Sequence, residues 1–95
     1  MLSGKQKRYL RAIAAKERSI YQIGKEGLSF NLFNGISNAL KANELVKVNI
    51  LKTSSIDVRE AAIEISANTS SEIVQIIGKT IVFYKASKDK KIILP

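Results

Sequence analysis

The sequence predicts an α/β fold, one compact domain over residues 1–95, with a mixed four-stranded sheet packed with helices in the order α-β-α-β-α-β-β. Three observations predict it. Segments with helical apolar spacing alternate with short β-branched runs along most of the chain. Two β-prone runs flank a Gly-Lys pair near its end. Helical crossovers join the first three strands, which favours parallel pairing and right-handed connections.

The first helix, about 4–16, opens on Ser3 with Gln6 three residues later, the spacing of a capping box. At 100° per residue, Gln6, Tyr9, Leu10 and Ile13 share the sector expected to face the core. Lys5, Lys7, Arg8 and Arg11 fall on the opposite arc. Ser19-Ile20-Tyr21-Gln22-Ile23 reads as a short strand, and Gly24-Lys25-Glu26-Gly27 as a tight loop after it. Ser29 caps a second helix, about 29–42, whose apolar positions are Phe30, Phe33, Ile36 and Leu40, with Leu32 and Ala39. From Glu44 to Lys52 the alternate residues Val46, Val48 and Ile50 are apolar and the others mixed, the pattern of a half-buried strand.

Asp57 and Glu60 form a second capping-box spacing. They start a helix to about residue 68 with Val58, Ala61, Ala62 and Ile65 inward and Ile63 pointing away. The runs 72–78 and 80–86 are separated by Gly78-Lys79 and should pair as an antiparallel hairpin. The last residues join a charged stretch to the apolar Ile92-Ile93-Leu94, expected to fold back onto the domain.

Composition restricts the chemistry. Sixteen Lys and Arg face eight Asp and Glu, a formal charge of +8, while a hydrophobic fraction of 45% is that of a folded globule. There is no Cys and no His, so thiolate nucleophiles, disulfides, Cys-type zinc sites and imidazole bases are excluded. At this length roughly 60–68% of the unfolded surface can be buried, enough for one core without an internal substrate chamber. No 18-residue apolar run occurs, and the chain opens on polar and basic residues. The expectation is a soluble, cytoplasmic monomer with no cofactor, no bound metal, no membrane partner and no small-molecule substrate.

Two features point to a polyanion. Gly24-Lys25-Glu26-Gly27 lies between a strand and a helix, where glycines allow close backbone approach, helix-start amides can receive a phosphate and Lys25 adds a point charge. The same spacing also fits a strand end at Gly24 and a plain turn at Gly27. The second feature is local charge: Lys5, Lys7, Arg8, Arg11, Lys16 and Arg18 share their segment with one acid, Glu17. The six aromatic residues show no stacking platform, since Phe30, Phe33 and Phe83 read as core and the three tyrosines as core with surface hydroxyls. That favours recognition of backbone and shape. Glu60 and Glu64, one turn apart, read as solvated charges rather than an acid/base pair, and the glycine loop lacks the Gly-Lys-Ser/Thr ending of a nucleotide-hydrolysing loop.

Four ordered blocks carry a resemblance: residues 2–11 (Leu-Ser-Gly-Lys-Gln-Lys-Arg-Tyr-Leu-Arg), 22–28 (Gln-Ile-Gly-Lys-Glu-Gly-Leu), 44–48 (Glu-Leu-Val-Lys-Val), and 74–79 with Tyr84-Lys85. Together they resemble the YhbY-like CRM-domain family in its free-standing bacterial form. The resemblance implies a fold similar to the C-terminal domain of the third bacterial translation initiation factor. It also implies a non-enzymatic RNA-binding role with ribosomal RNA, in precursors of the large ribosomal subunit, as partner. Carried onto this chain, the RNA-binding loop is Gly24, Lys25, Glu26 and Gly27, and the adjoining basic surface is Lys5, Lys7, Arg8 and Arg11. Glu26 departs from the many relatives that are basic or neutral in the loop. The competing expectation is a protein-interaction adaptor docking the basic face on an acidic partner in ribosome assembly.

Overall fold

The computed structural model describes residues 2–95 and contains seven elements. They are α1 (Gly4–Ala14), β1 (Tyr21–Ile23), α2 (Phe30–Asn43), β2 (Leu45–Ile50), α3 (Val58–Thr69), β3 (Glu72–Ile77) and β4 (Thr80–Tyr84), in the expected order. The Ser3–Gln6 capping box forms, each side chain bonded to the other's backbone amide at 3.0–3.1 Å. At α3 only half of the expected box is present: Asp57 accepts from the amides of Arg59 and Glu60.

The sheet order is β1-β2-β4-β3, with β1 and β2 parallel and β4 antiparallel to both its neighbours. β3 therefore runs in the direction of β1 and β2, as the crossovers favour, but does not pair with β2, because β4 returns between them. Burial explains the insertion. Ile81, Val82, Phe83 and Tyr84 are all buried, so β4 is covered on both faces and belongs inside the sheet. Both edges are blunted: β1 has three residues, and β3 carries a register shift between Ile73 and Gln75.

Helices cover the two faces unequally. α2 and α3 pack on one side over Ile23, Val46, Val48, Ile50, Ile81 and Phe83. α2 approaches β1 closely: a Cβ on Gly35 of α2 would sit 3.0 Å from the Tyr21 hydroxyl, which donates to the Gly35 carbonyl at 3.0 Å. α1 alone covers part of the other side, with Leu10 and Ala14 against Leu45, Val74, Val82 and Tyr84. Its inward line lies between Leu10 and Ala14, rotated from the expected sector by roughly 70° at 100° per residue. Tyr9 is consequently exposed, and Lys7 is half-buried. The small Ala14 lets the helix end settle onto the sheet, where Lys47 Nζ donates to the carbonyls of Ala14 (3.2 Å) and Glu17 (3.4 Å).

Lysines close the other helices in the same way. Lys85 Nζ donates to Thr69 O at the end of α3 (3.2 Å), and Lys91 Nζ to Ala42 O near the end of α2. A helix C-terminus leaves carbonyls unpaired and carries partial negative charge, so an ammonium there serves both needs.

Glu44, expected to begin β2, instead ends α2 in the left-handed region (φ 67°), its amide donating to Leu40 O. Its side chain is fully buried. One carboxylate oxygen accepts from the Ser87 amide (2.6 Å) and hydroxyl (2.9 Å), the other from the Ile92 amide (2.6 Å). The chain after β4 is thereby strapped back, with Ile92 and Leu94 on the α1-side core, as expected. Burial alone raises the Glu44 carboxyl, but the hydrogen bonds from Ser87, Ile92 and Lys91 outweigh it and hold the group below its ordinary 4.5. Burial, and then the charges of Glu44 and Glu72, push the Tyr84 hydroxyl up. Among the described residues no helix is long and apolar enough to cross a membrane.

Replacing Glu44 by Gln puts an N–H where Ser87 or Ile92 donates, and should cost about 1–3 kcal/mol in urea unfolding. Because the folded carboxyl sits below its unfolded value, its contribution is complete above pH 4.5 and drains away as pH falls through the folded value. Stability measured against pH should fall more steeply in acid for the native chain than for Glu44→Gln; parallel curves would contradict the assignment.

Candidate nucleic-acid interface

β1 and β2 are parallel and both lead into helices, so their C-terminal ends and the starts of α2 and α3 lie at one end of the sheet. The β3–β4 turn reaches the same end, since Ile77 pairs with Thr80 and Ile50 N donates to Lys79 O at 2.8 Å. Here sits the Gly24–Gly27 loop. Its ends are joined by a Gly27 N to Gly24 O bond of 3.0 Å, and Leu51 N anchors it by donating to Ile23 O at 2.8 Å.

The two glycines differ. Gly27 has φ 70° with nothing near the position of a Cβ, so the turn itself requires it. Gly24 does not have positive φ, and a Cβ there would meet Leu51 and Thr53 at 3.7–3.9 Å, ordinary contact. The fold does not demand glycine at 24, whereas at Gly27 the space beside the backbone is open. Lys25 and Glu26, at the tip, are exposed. Ser29 accepts from Leu32 N (3.1 Å), which leaves the amides of Phe30 and Asn31 in the first turn of α2 as available donors.

Two cations missed by the sequence reading join this end: Lys52, directly after Leu51, and Lys79 in the hairpin turn, both exposed. They lie far from Lys25 in sequence, and only the strand register brings the three together. Glu26 and Asp57 are acids at the same end, Asp57 already bonded to two α3 amides.

α1 contributes a second basic surface. Arg11 lines a cleft of about 280 Å³ between α1 and the sheet, floored by Ala14 and Val82 and rimmed by Lys47, Gln75 and Thr80. Lys7 precedes Arg11 by one turn on this flank, and Arg8 lies beside it toward solvent. Lys5 points outward, away from the cleft. None of these four cations is hydrogen-bonded or ion-paired to a carboxylate among the described residues.

The loop and the α1 flank do not touch. Between them the α1-side face of the sheet is uncovered, and one row crosses all four strands by register: Gln22, Asn49, Thr80 and Ile77. Thr80 Oγ1 bonds Asn49 Oδ1 at 3.2 Å, and Ile77 is exposed. At about 4.8 Å per strand the row is about 14 Å long. Gly24 lies two residues beyond one end of it, and Arg11 overhangs the other. Glu60 and Glu64 are exposed on α3 with no neighbouring base.

Comparison with known proteins places these features in company. Residues 2–85 match the model of the CRS1/YhbY (CRM) domain. The chain is 44% identical over 91 residues to Probable RNA-binding protein YqeI of Bacillus subtilis, covering 96% of this chain and 95% of that one. It is 35% identical over 97 residues to a protein of Haemophilus influenzae named RNA-binding protein, covering 99% and 95%. The solution structure of hypothetical protein SAV1595 from Staphylococcus aureus superposes with a TM-score of 0.82 at 45% identity, over 100% of both chains.

The difference between the glycines is measurable in stability. Gly27→Ala forces a side chain into the left-handed region and should lose about 1–2 kcal/mol, whereas Gly24→Ala should stay within about 0.5 kcal/mol of the native chain. Equal losses in urea unfolding would show that the fold demands glycine at both positions.

Proposed function

Because the chain belongs to the CRS1/YhbY (CRM) domain family, we propose that it is a non-catalytic RNA-binding module, cytoplasmic and monomeric, that holds ribosomal RNA in precursors of the large ribosomal subunit. The observation that carries the reading is that exposed Lys25, Lys52 and Lys79 share one end of the sheet with the Gly24–Gly27 loop, where the space beside Gly27 is open. The unpaired flank of α1 supports it from across the uncovered face. The names of the Bacillus and Haemophilus relatives select RNA among polyanions. Ribosomal RNA as the target rests on the family resemblance.

In this reading a phosphate sits at the Gly24–Gly27 loop, where it receives the free amides of the first α2 turn and the ammonium of Lys25. The strand then runs along the open row toward Arg11, with Arg8 and Lys7 on further phosphates. Glu26 repels the backbone on one side of the loop, which directs the strand's path without contributing affinity. Such contacts position RNA and carry little sequence information.

With about five phosphates neutralised, log affinity should fall with log salt at a slope of roughly −3.5 for single-stranded RNA. Lys25→Glu and Arg8→Glu should each weaken binding to unrelated RNA sequences by similar factors, with unchanged circular dichroism. A salt-independent affinity would refute the electrostatic footprint. Nuclease treatment of ribosomal-particle pull-downs separates the adaptor reading, which requires association to survive digestion, from direct RNA binding, which requires its loss.

A further inference from the structure

Phe30 was expected in the core, and it is 76% exposed. It is the first residue of α2, three positions after Gly27. The apolar roles around this helix start are filled by others: Leu28, just before the cap, and Leu32 and Phe33, just after it, all pack against the core beneath α2. No packing role remains for Phe30. Helical Cα–Cβ bonds tilt toward the helix N-terminus, so the Phe30 side chain leaves the backbone toward the end of α2 that the glycine loop leads into. The same end of the sheet carries Lys25, Lys52 and Lys79.

An exposed aromatic ring at a helix start, three residues after Gly27 and at the same end of the sheet as three exposed cations, matches a single-stranded nucleic acid: phosphates meet the cations, and an unstacked base covers the ring. A duplex keeps its bases stacked on one another and has no free face to offer. We propose that Phe30 is a stacking platform for an unpaired nucleobase of the strand whose backbone lies at Gly24–Gly27, making single-stranded RNA the ligand at this end of the sheet. The inference rests on the reading of the loop given above and adds to it the state of the RNA.

The chain contains no Trp, so Phe30→Trp introduces a single indole reporter exactly where stacking is expected. Titration with a mixed-sequence single-stranded RNA oligonucleotide should quench its emission, since a base stacks on indole as it does on phenyl. The blunt-ended duplex of the same sequence should not quench it. Phe30→Ala should bind the single strand about tenfold more weakly with an unchanged salt slope, because it removes no charge. Lys25→Glu should weaken binding and make the slope shallower.

Native affinity in Phe30→Ala together with lost affinity in Lys25→Glu overturns stacking while leaving the loop in place. Native affinity in both overturns the loop reading and stacking with it. Equal quenching by the duplex also overturns the proposal. Because the ring is exposed, all three variants should keep the native circular dichroism and unfolding midpoint. A lowered midpoint in Phe30→Ala would show a packing role and count against the platform.

Discussion

The carboxylate of Glu44 is the constraint on which much of the architecture rests. A buried anion is costly unless fully hydrogen-bonded, and this one is satisfied only by the chain beyond β4, through Ser87 and Ile92. Its backbone is equally committed: the amide closes α2, and the carbonyl accepts from Lys85 at 2.9 Å. One residue thus joins the end of α2, the start of β2, the end of β4 and the terminal strap. The strap in turn supplies Ile92 and Leu94 to the core beneath α1. Without it α1 would have less to pack against, and its basic flank would lose its fixed angle to the sheet.

This organisation divides the positive charge that the composition presents as one quantity. Lys47, Lys85 and Lys91 each bond the carbonyl end of a different helix, and belong to the fold. Arg11 lines one side of the open sheet face with Lys7 and Arg8 near it on α1, while Lys25, Lys52 and Lys79 lie at its end. Net charge indicates a polyanionic partner. The topology distinguishes the cations left for that partner from those that already have one.

Much of the fold was legible locally. Capping at Ser3, Ser29 and Asp57, the alternation of Val46, Val48 and Ile50, and the Gly78-Lys79 turn are short-range signals, and each element follows from its own residues. What escaped was long-range. The continuous run Ile81–Tyr84 carries the mark of a doubly buried strand, yet its place between β2 and β3 emerges only when both faces are covered. Counting Tyr9 as core and passing over Ala14 misdirected α1, because small residues contribute little to periodicity and much to close approach. Glu44 looked like a polar strand start, since its partners lie more than forty residues away. At the candidate site the glycine loop and Lys25 were visible in sequence, whereas Lys52 and Lys79 required the register. Phe30 fitted the helical stripe and was misread, because a position in the first turn of a helix can satisfy the period and still overhang the end of the core.

The interior position of β4 also governs the order in which this molecule can be built. Made from the N-terminus, the chain presents β1, β2 and β3 before the strand that joins β2 to β3 exists, and β2 and β3 do not pair with each other. Half of the sheet must wait for residues 80–84, and the Glu44 carboxylate must wait longer still, for residues 87 and 92. Folding of such a chain closes late, because the β2–β4 pairing joins segments distant in sequence. The finished sheet face, with the row from Gln22 to Ile77 that crosses β4 at Thr80, comes into being only at that closure. A partially synthesised chain carries the basic helix without the surface that gives it direction.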